Sequence, residues 1–287
     1  MSGGGQDRRR LIVCADDYGF TPGVSRGIRE LLAAGRISAT SVMTNSEFWP
    51  EEAAALRAVA RSADIGLHVT LTDQRSIGAM PTFAPTGRFP PMAAVYRAGL
   101  RRQLPLAEIE AEIERQVACF IALYGVPPAH IDGHHHIHQL PGVREAVIAV
   151  AARVGSGKTW VRCCSVQPTL ALRRGVGAAK AMVIGALGRG LRRLAQTAGV
   201  PVNAGFSGAY DFLSETRATG ALFERFLLGS GTNSLVMCHP GYADAELAQR
   251  DIMTTPREAE LRYLMSDAWL ELLARSGLEV GPFLRRA

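Results

Sequence analysis

Four short stretches hold most of the residues that could do chemistry. Asp16-Asp17-Tyr18-Gly19 follow an apolar run, and His68 sits within Gly66-Leu67-His68-Val69-Thr70. A histidine-rich stretch reads His130-Ile131-Asp132-Gly133-His134-His135-His136-Ile137-His138, and His239 lies in Cys238-His239-Pro240-Gly241. Two adjacent carboxylates after a buried strand repel unless a proton or a cation relieves them. A divalent ion does so with two or three nitrogen or oxygen ligands from separate elements, leaving a position for water. One Asp and two His meet that need. The second carboxylate is then a general base and a distant His can protonate a leaving amine, the pattern of metal-assisted hydrolysis. If the histidine run is extended, His134, His136 and His138 share one face and His135 opposes them. Only some of them would then ligate, and the rest would orient the ligands.

Each signal also has a bland reading. The Asp pair could cap the next helix, His68 could be a satisfied core histidine, the histidine run an incidental metal-affine tract, and His239 part of a Pro-Gly turn. Arg162 is either a planar anchor for substrate or a structural ion pair. The coincidence of several polar segments at strand ends favours a site.

The elements around these segments alternate between short β-rich runs and longer helical patterns, which signals a parallel sheet of βα units. Strands are expected over 11–15, 38–44, 64–71, 129–134, 159–164, 202–206 and 234–239, and helices over 23–34, 51–62, 106–124, 143–154, 170–197, 215–228 and 256–275. In the helix over 106–124, Ile109, Ile113, Val117 and Phe120 form one stripe, with Glu108, Glu112 and Arg115 expected on the solvated side. The connection over 72–105 has five prolines and three glycines without a period, as loops that cover sites often do. About seven parallel strands without a G-x-G-x-x-G fingerprint suit a distorted TIM-like (β/α) barrel better than Rossmann halves. Residues 1–10 read as a flexible tail and 11–287 as one domain.

At 287 residues with 47% hydrophobic content, the chain can fill a substantial core. Its formal charge of +6 comes from 32 basic and 26 acidic residues. The excess is local. Residues 146–210 contain no Asp or Glu but carry Arg153, Lys158, Arg162, Arg173, Arg174, Lys180, Arg189, Arg192 and Arg193. Removing those nine leaves 23 basic against 26 acidic, which is not the balance of a uniformly basic nucleic-acid binder. By default the part from Arg173 to Arg193 is the solvated face of a helical segment, and it also permits contact with acidic lipid or an anionic substrate. Five cysteines without a CxxC pair suit a reducing, cytoplasmic setting better than a disulfide framework. No run is long and apolar enough for a membrane span, and no signal-peptide core precedes Asp16.

The motifs Ala15-Asp16-Asp17-Tyr18-Gly19, Gly66-Leu67-His68 and His130 through His138 together resemble the YdjC-like carbohydrate deacetylases, a family that includes chitooligosaccharide and hopanoid-biosynthesis-associated deacetylases. Tyr18 stands where that family frequently has Phe, and Gly133 where it frequently has Ser. The resemblance implies a distorted TIM-like barrel and one divalent ion, Mg²⁺ or Zn²⁺, held by Asp17, His68 and His134. It implies Asp16 as general base and His239 as acid, hydrolysis of N-acetyl groups on an amino sugar (an oligosaccharide or lipid-linked glycan), a cytosolic location and a homodimer. Arg162 and Tyr18 are expected to touch substrate. Competing readings keep the metal but cleave another amide or a phosphoester, or make the chain a non-catalytic carbohydrate- or lipid-surface-binding protein.

Overall fold

The computed structural model describes residues 9–60, 62–212 and 217–283. In chain order its elements are β1 (Arg9–Tyr18), α1 (Pro22–Ala33), β2 (Ala39–Val42), α2 (Trp49–Val59), β3 (Asp64–Val69), α3 (Met92–Leu100), α4 (Leu106–Tyr124), β4 (His130–Gly133), α5 (Val143–Arg153) and β5 (Trp160–Val161). These are followed by α6 (Pro168–Arg174), α7 (Ala178–Thr197), β6 (Gly205–Ser207), α8 (Thr219–Leu227), β7 (Ser234–Cys238), α9 (Ala245–Arg250), α10 (Thr255–Met265), α11 (Asp267–Arg275) and β8 (Leu278–Val280). The sheet runs β5-β4-β3-β2-β1-β7-β6, with β8 added alongside the start of β1, and every named pairing is parallel. From Leu11 onward β1 is buried throughout, as expected for a central parallel strand with both faces covered.

The sheet curls until its ends meet. Val161 on β5 forms a single parallel bridge to Val202, its amide donating to the Pro201 carbonyl at 2.9 Å. Beyond that bridge the Asn203 side chain substitutes for strand backbone: it accepts from the Cys163 amide at 2.6 Å and donates to the Cys163 carbonyl at 3.0 Å. One side chain thus continues the ladder where the two strands diverge, giving the distorted, TIM-like barrel that the βα alternation predicts.

All seven expected strands are present, several of them shorter than read, and α4 has the predicted limits. The differences have local causes. Residues 9 and 10, read as tail, pair with Leu278 and Glu279 of β8, a short strand the sequence reading missed. The helix expected over 170–197 is two, because Gly175 ends α6 in the left-handed region and Gly177 precedes α7 there as well. The helix expected over 256–275 breaks at Ser266, whose backbone is extended. Of the helix expected over 215–228, α8 accounts for 219–227, and 215–216 lie outside the described residues.

The long connection is more ordered than its composition suggests. It contains α3 and buries Met80, Phe83 and Phe89. Glu112, expected in solvent, is fully buried and accepts from the amides of Ile77 and Gly78, while Glu108 accepts from those of Thr82 and Phe83. These carboxylates satisfy loop amides that have no ladder partner, which amphipathic periodicity cannot foresee.

Candidate metal and catalytic centre

β1, β3, β4 and β7 deliver the singled-out residues to the C-terminal edge of the barrel. Along β1 the pairing advances three residues, Ala15 to Tyr18, while β2 advances two, Thr40 to Val42. The extra residue is a bulge, and Asp17 takes a left-handed φ of 68°. In a regular strand Asp16 and Asp17 would face opposite sides. Here both carboxylates end in the same group of charges, so the local strain at Asp17 has an evident use. The helix N-cap that the pair might have supplied belongs to Thr21, whose side chain accepts from the Val24 amide.

Three side chains converge. Asp17 Oδ1 lies 3.0 Å from His134 Nδ1 and 3.4 Å from His68 Nε2, and one ligand atom from each residue falls within 4.8 Å of the others. Metal–ligand bonds of about 2.0–2.2 Å produce ligand–ligand separations of about 3–3.5 Å, so these residues fit a divalent ion. The second oxygen of Asp17 is held by Arg257 at 2.7 Å, which leaves Oδ1 for the shared point. Burial alone would raise the Asp17 carboxyl, but Arg257 and His134 outweigh it and hold the group well below the usual carboxylate range. For His68, burial opposes a charge while Asp132 and Asp16 more than compensate, lifting the imidazole to about 10. A proton or a metal cation answers the same excess of negative charge.

Behind these groups runs a buried network. His68 Nδ1 pairs with Asp132 Oδ1 at 2.6 Å, which directs Nε2 toward Asp17. Asp132 Oδ2 accepts from Ser41 at 2.5 Å and pairs with Arg162, also at 2.5 Å. Arg162 bonds both oxygens of Asp16, at 2.7 and 2.5 Å. This planar fork fixes the Asp16 carboxylate beside the convergent point. His239 closes the group, its Nε2 4.0 Å from Asp16 Oδ2. Its amide donates to Glu260 at 2.5 Å, and Glu260 also accepts from Tyr210 at 2.8 Å. Burial, only partly offset by Asp17 and Asp16, lowers the His239 imidazole to about 4, so its resting form is neutral.

The structure thus gathers Asp16, Asp17, His68, His134 and His239 and removes two residues from the expected substrate contacts. Arg162 is fully buried and its guanidinium is committed to Asp16 and Asp132, so of the two readings it takes the structural ion pair. Tyr18 is also fully buried, and its hydroxyl donates to Glu52 while accepting from Arg29. The histidine run is not an extended strand. It turns immediately after β4, with His135 and His136 both at left-handed φ, 54° and 58°. Its members therefore scatter. His134 reaches Asp17, His135 meets Thr72 at 2.9 Å, His136 lies buried beside Cys164, and His138 Nε2 meets the Arg162 carbonyl at 3.0 Å. His130 stacks on Trp160 at 4.4 Å and bonds Ser41. A Cβ at Gly66 would fall 2.3 Å from that ring, so glycine there makes room for it.

Sequence reasoning missed Asp132, Arg257 and Glu260. Asp132 shares a strand face with His130 by period two, a usable signal. Arg257 and Glu260 lie on α10, about 240 residues from the Asp pair, and nothing local marks them.

The fold and site together define a (β/α) barrel with a convergent Asp-His-His centre at the carboxyl edge of its strands, a carboxylate held alongside and a histidine opposite. Residues 10–275 match the YdjC-like protein family, and the chain belongs to it. It is 33% identical to a chitooligosaccharide deacetylase of Serratia marcescens, with 95% of this chain and 97% of that protein covered. A human carbohydrate deacetylase is also 33% identical, over 82% of this chain and 76% of its own length. The crystal structure of an Enterococcus faecalis V583 protein named for cellobiose-phosphate cleavage superposes with a TM-score of 0.76 at 23% identity, covering 96% of this chain and 98% of that one, which shows the shared fold.

Proposed function

We propose that this chain is a divalent-metal-dependent carbohydrate N-deacetylase that hydrolyses the N-acetyl group of an amino sugar. The observation that carries this reading is the convergence of Asp17, His68 and His134 beside an Asp16 carboxylate locked by Arg162. The names of the relatives supply the carbohydrate class. Asp17, His68 and His134 would hold the ion, which when bound supplies Lewis-acid polarisation of the acetyl carbonyl and acidifies water.

The chain's own groups do the rest. Asp16, held in one orientation, accepts the proton as water adds to the carbonyl carbon. The neutral His239 imidazole, 4.0 Å from Asp16, receives that proton and passes it to the nitrogen as the C–N bond breaks. Acetate and a free amine leave. Arg257 keeps Asp17 ionised and Asp132 keeps His68 oriented, so neither needs to touch substrate.

The test is acetate release from N-acetylglucosamine oligomers and lipid-linked amino sugars, with Mg²⁺ or Zn²⁺ added to chelator-treated protein and phosphate release followed in parallel. Metal-dependent acetate release, together with bound metal that disappears in His68→Ala and His134→Ala, supports the reading. Phosphate release alone would replace it with phosphoester hydrolysis, and wild-type metal content in both variants would refute the ligand set. The same reading carries a cytoplasmic homodimer, for which light scattering of the purified chain gives the mass. Among the described residues no helix is long and apolar enough to cross a membrane.

A further inference from the structure

A cavity of about 870 Å³ lies outside the barrel between α6, α7 and the N-terminal ends of β6 and β7. Ser234 at its wall and His239 at the catalytic edge are separated by five residues of nearly straight chain, about 16 Å at strand rise. Arg173, Arg174, Arg189 and Arg192 line it with Thr169 and Thr232, and no carboxylate does so among the described residues. All four arginines come from the acid-free stretch, and unlike its Arg162 none of them has a part in the deacetylase chemistry.

Arg174 is the informative one. It is 7% exposed, and its guanidinium donates to backbone carbonyls only: Phe206 at 2.7 Å and Leu228 at 2.9 and 3.1 Å. Burial without a described carboxylate partner pulls its pKa down to about 10, against the usual rule that buried charges are paired. Arg192 donates to Ser165 and to the Asn203 carbonyl. The exposed Arg173 and Arg189 have no hydrogen-bond or ion-pair partner among the described residues. A helix C-terminus favours Arg173 and Arg174 at the end of α6. Arg189 and Arg192 lie one turn apart within α7, where that effect does not reach.

We propose that this cavity is a binding site for a phosphate-bearing anion, a phosphate or diphosphate group gripped by Arg173 and Arg189 with Arg174 and Arg192 behind them. Guanidinium forks match phosphate oxygens in plane and in charge, and the anion supplies the counter-charge missing from the described lining. The site is separate from the deacetylase centre and stands or falls independently of it.

Titration calorimetry of the full chain with inorganic phosphate and with pyrophosphate tests this, using wild type, Arg173→Ala/Arg189→Ala, Arg189→Glu and His68→Ala/His134→Ala. The expected result is saturable binding, at least tenfold weaker in both arginine variants, retained in the histidine variant and displaced by excess of the other anion. Acetate release from neutral oligomers should not change in the arginine variants, which also shows that they fold. Co-sedimentation with phosphatidylglycerol vesicles separates the sources of the group: capture that pyrophosphate displaces and the arginine variants lose identifies a lipid headgroup in the same site. Absence of heat with both anions, undiminished binding in the arginine variants, loss of binding only in the histidine variant, or vesicle capture indifferent to Arg189→Glu would overturn the proposal.

Discussion

The catalytic edge of the barrel and the cavity outside it treat charge in opposite ways. At the carboxyl edge, Asp16, Asp17 and Asp132 are each bonded to a guanidinium or an imidazole from a different element. In the cavity outside the barrel, beside β6 and β7, four guanidiniums meet carbonyls, hydroxyls and solvent, and no described carboxylate. The first arrangement is charge-balanced by the chain itself apart from the demand of a cation at Asp17. The second leaves positive charge that only an external anion answers. Compensated charge builds a rigid framework and uncompensated charge marks where something binds, a contrast that can be tested by removing charges one at a time.

The largest effect is expected from Asp16→Asn. It keeps the shape and one of the two bonds from Arg162 but cannot take a proton, so turnover should fall by about 10²–10⁴-fold while metal content is unchanged. Steady-state acetate release with elemental analysis measures both, and full activity would remove Asp16 from the role of base. Next is Arg162→Met, which leaves Asp16 and Asp132 buried without their shared cation. The expected loss of stability is about 3–5 kcal/mol by urea unfolding. A loss below about 1 kcal/mol would show that the catalytic edge is less dependent on internal pairing than its geometry indicates.

Glu260 gives a pH test of the same framework. Burial raises its carboxyl from 4.5 to about 7 despite bonds from His239 and Tyr210. The folded state therefore holds the proton more tightly than the unfolded chain between those values. Stability should fall as pH rises from about 4.5 to 7, by on the order of 3 kcal/mol from this group. Glu260→Gln should flatten that part of the profile, and thermal unfolding between pH 4.5 and 8 reads it directly. An unaltered slope would mean that Glu260 is ionised throughout.

Asp132→Asn is the finest probe. It keeps a polar group against His68 but weakens the hold on Nδ1, and metal affinity should drop by about 10–100-fold while the ligands stay in place. Competition with a fluorescent chelator measures the change. An unchanged affinity would leave His68 oriented by packing alone.

Most of the architecture was readable because it rests on short-range rules. Alternating β-rich and helical segments specify a parallel α/β barrel, and apolar runs such as 11–15 end in polar residues because the strands reach the carboxyl edge of the barrel there, where the site is built. The limits of α4 follow from a helical stripe closed by Gly125 and two prolines. The misreadings share one origin. Glu112, Tyr18 and Arg162 look solvent- or substrate-facing by type, yet each is buried because a partner distant in sequence accepts or donates at short range. The histidine run looked like a strand because periodicity cannot register two successive left-handed residues.

By itself the sequence determined the chemical inventory and where along the chain it falls: an Asp pair, histidines at strand ends and an acid-free basic stretch, all set by residue type and local period. Only the tertiary structure decided which atoms meet. The bulge at Asp17 turned two neighbouring carboxylates toward one site, α10 brought Arg257 and Glu260 across about 240 residues, and barrel closure put Arg162 between Asp16 and Asp132. The reason is physical. Hydrophobic patterning is local, whereas satisfying a buried charge depends on distances of about 3 Å that exist only once distant elements have packed.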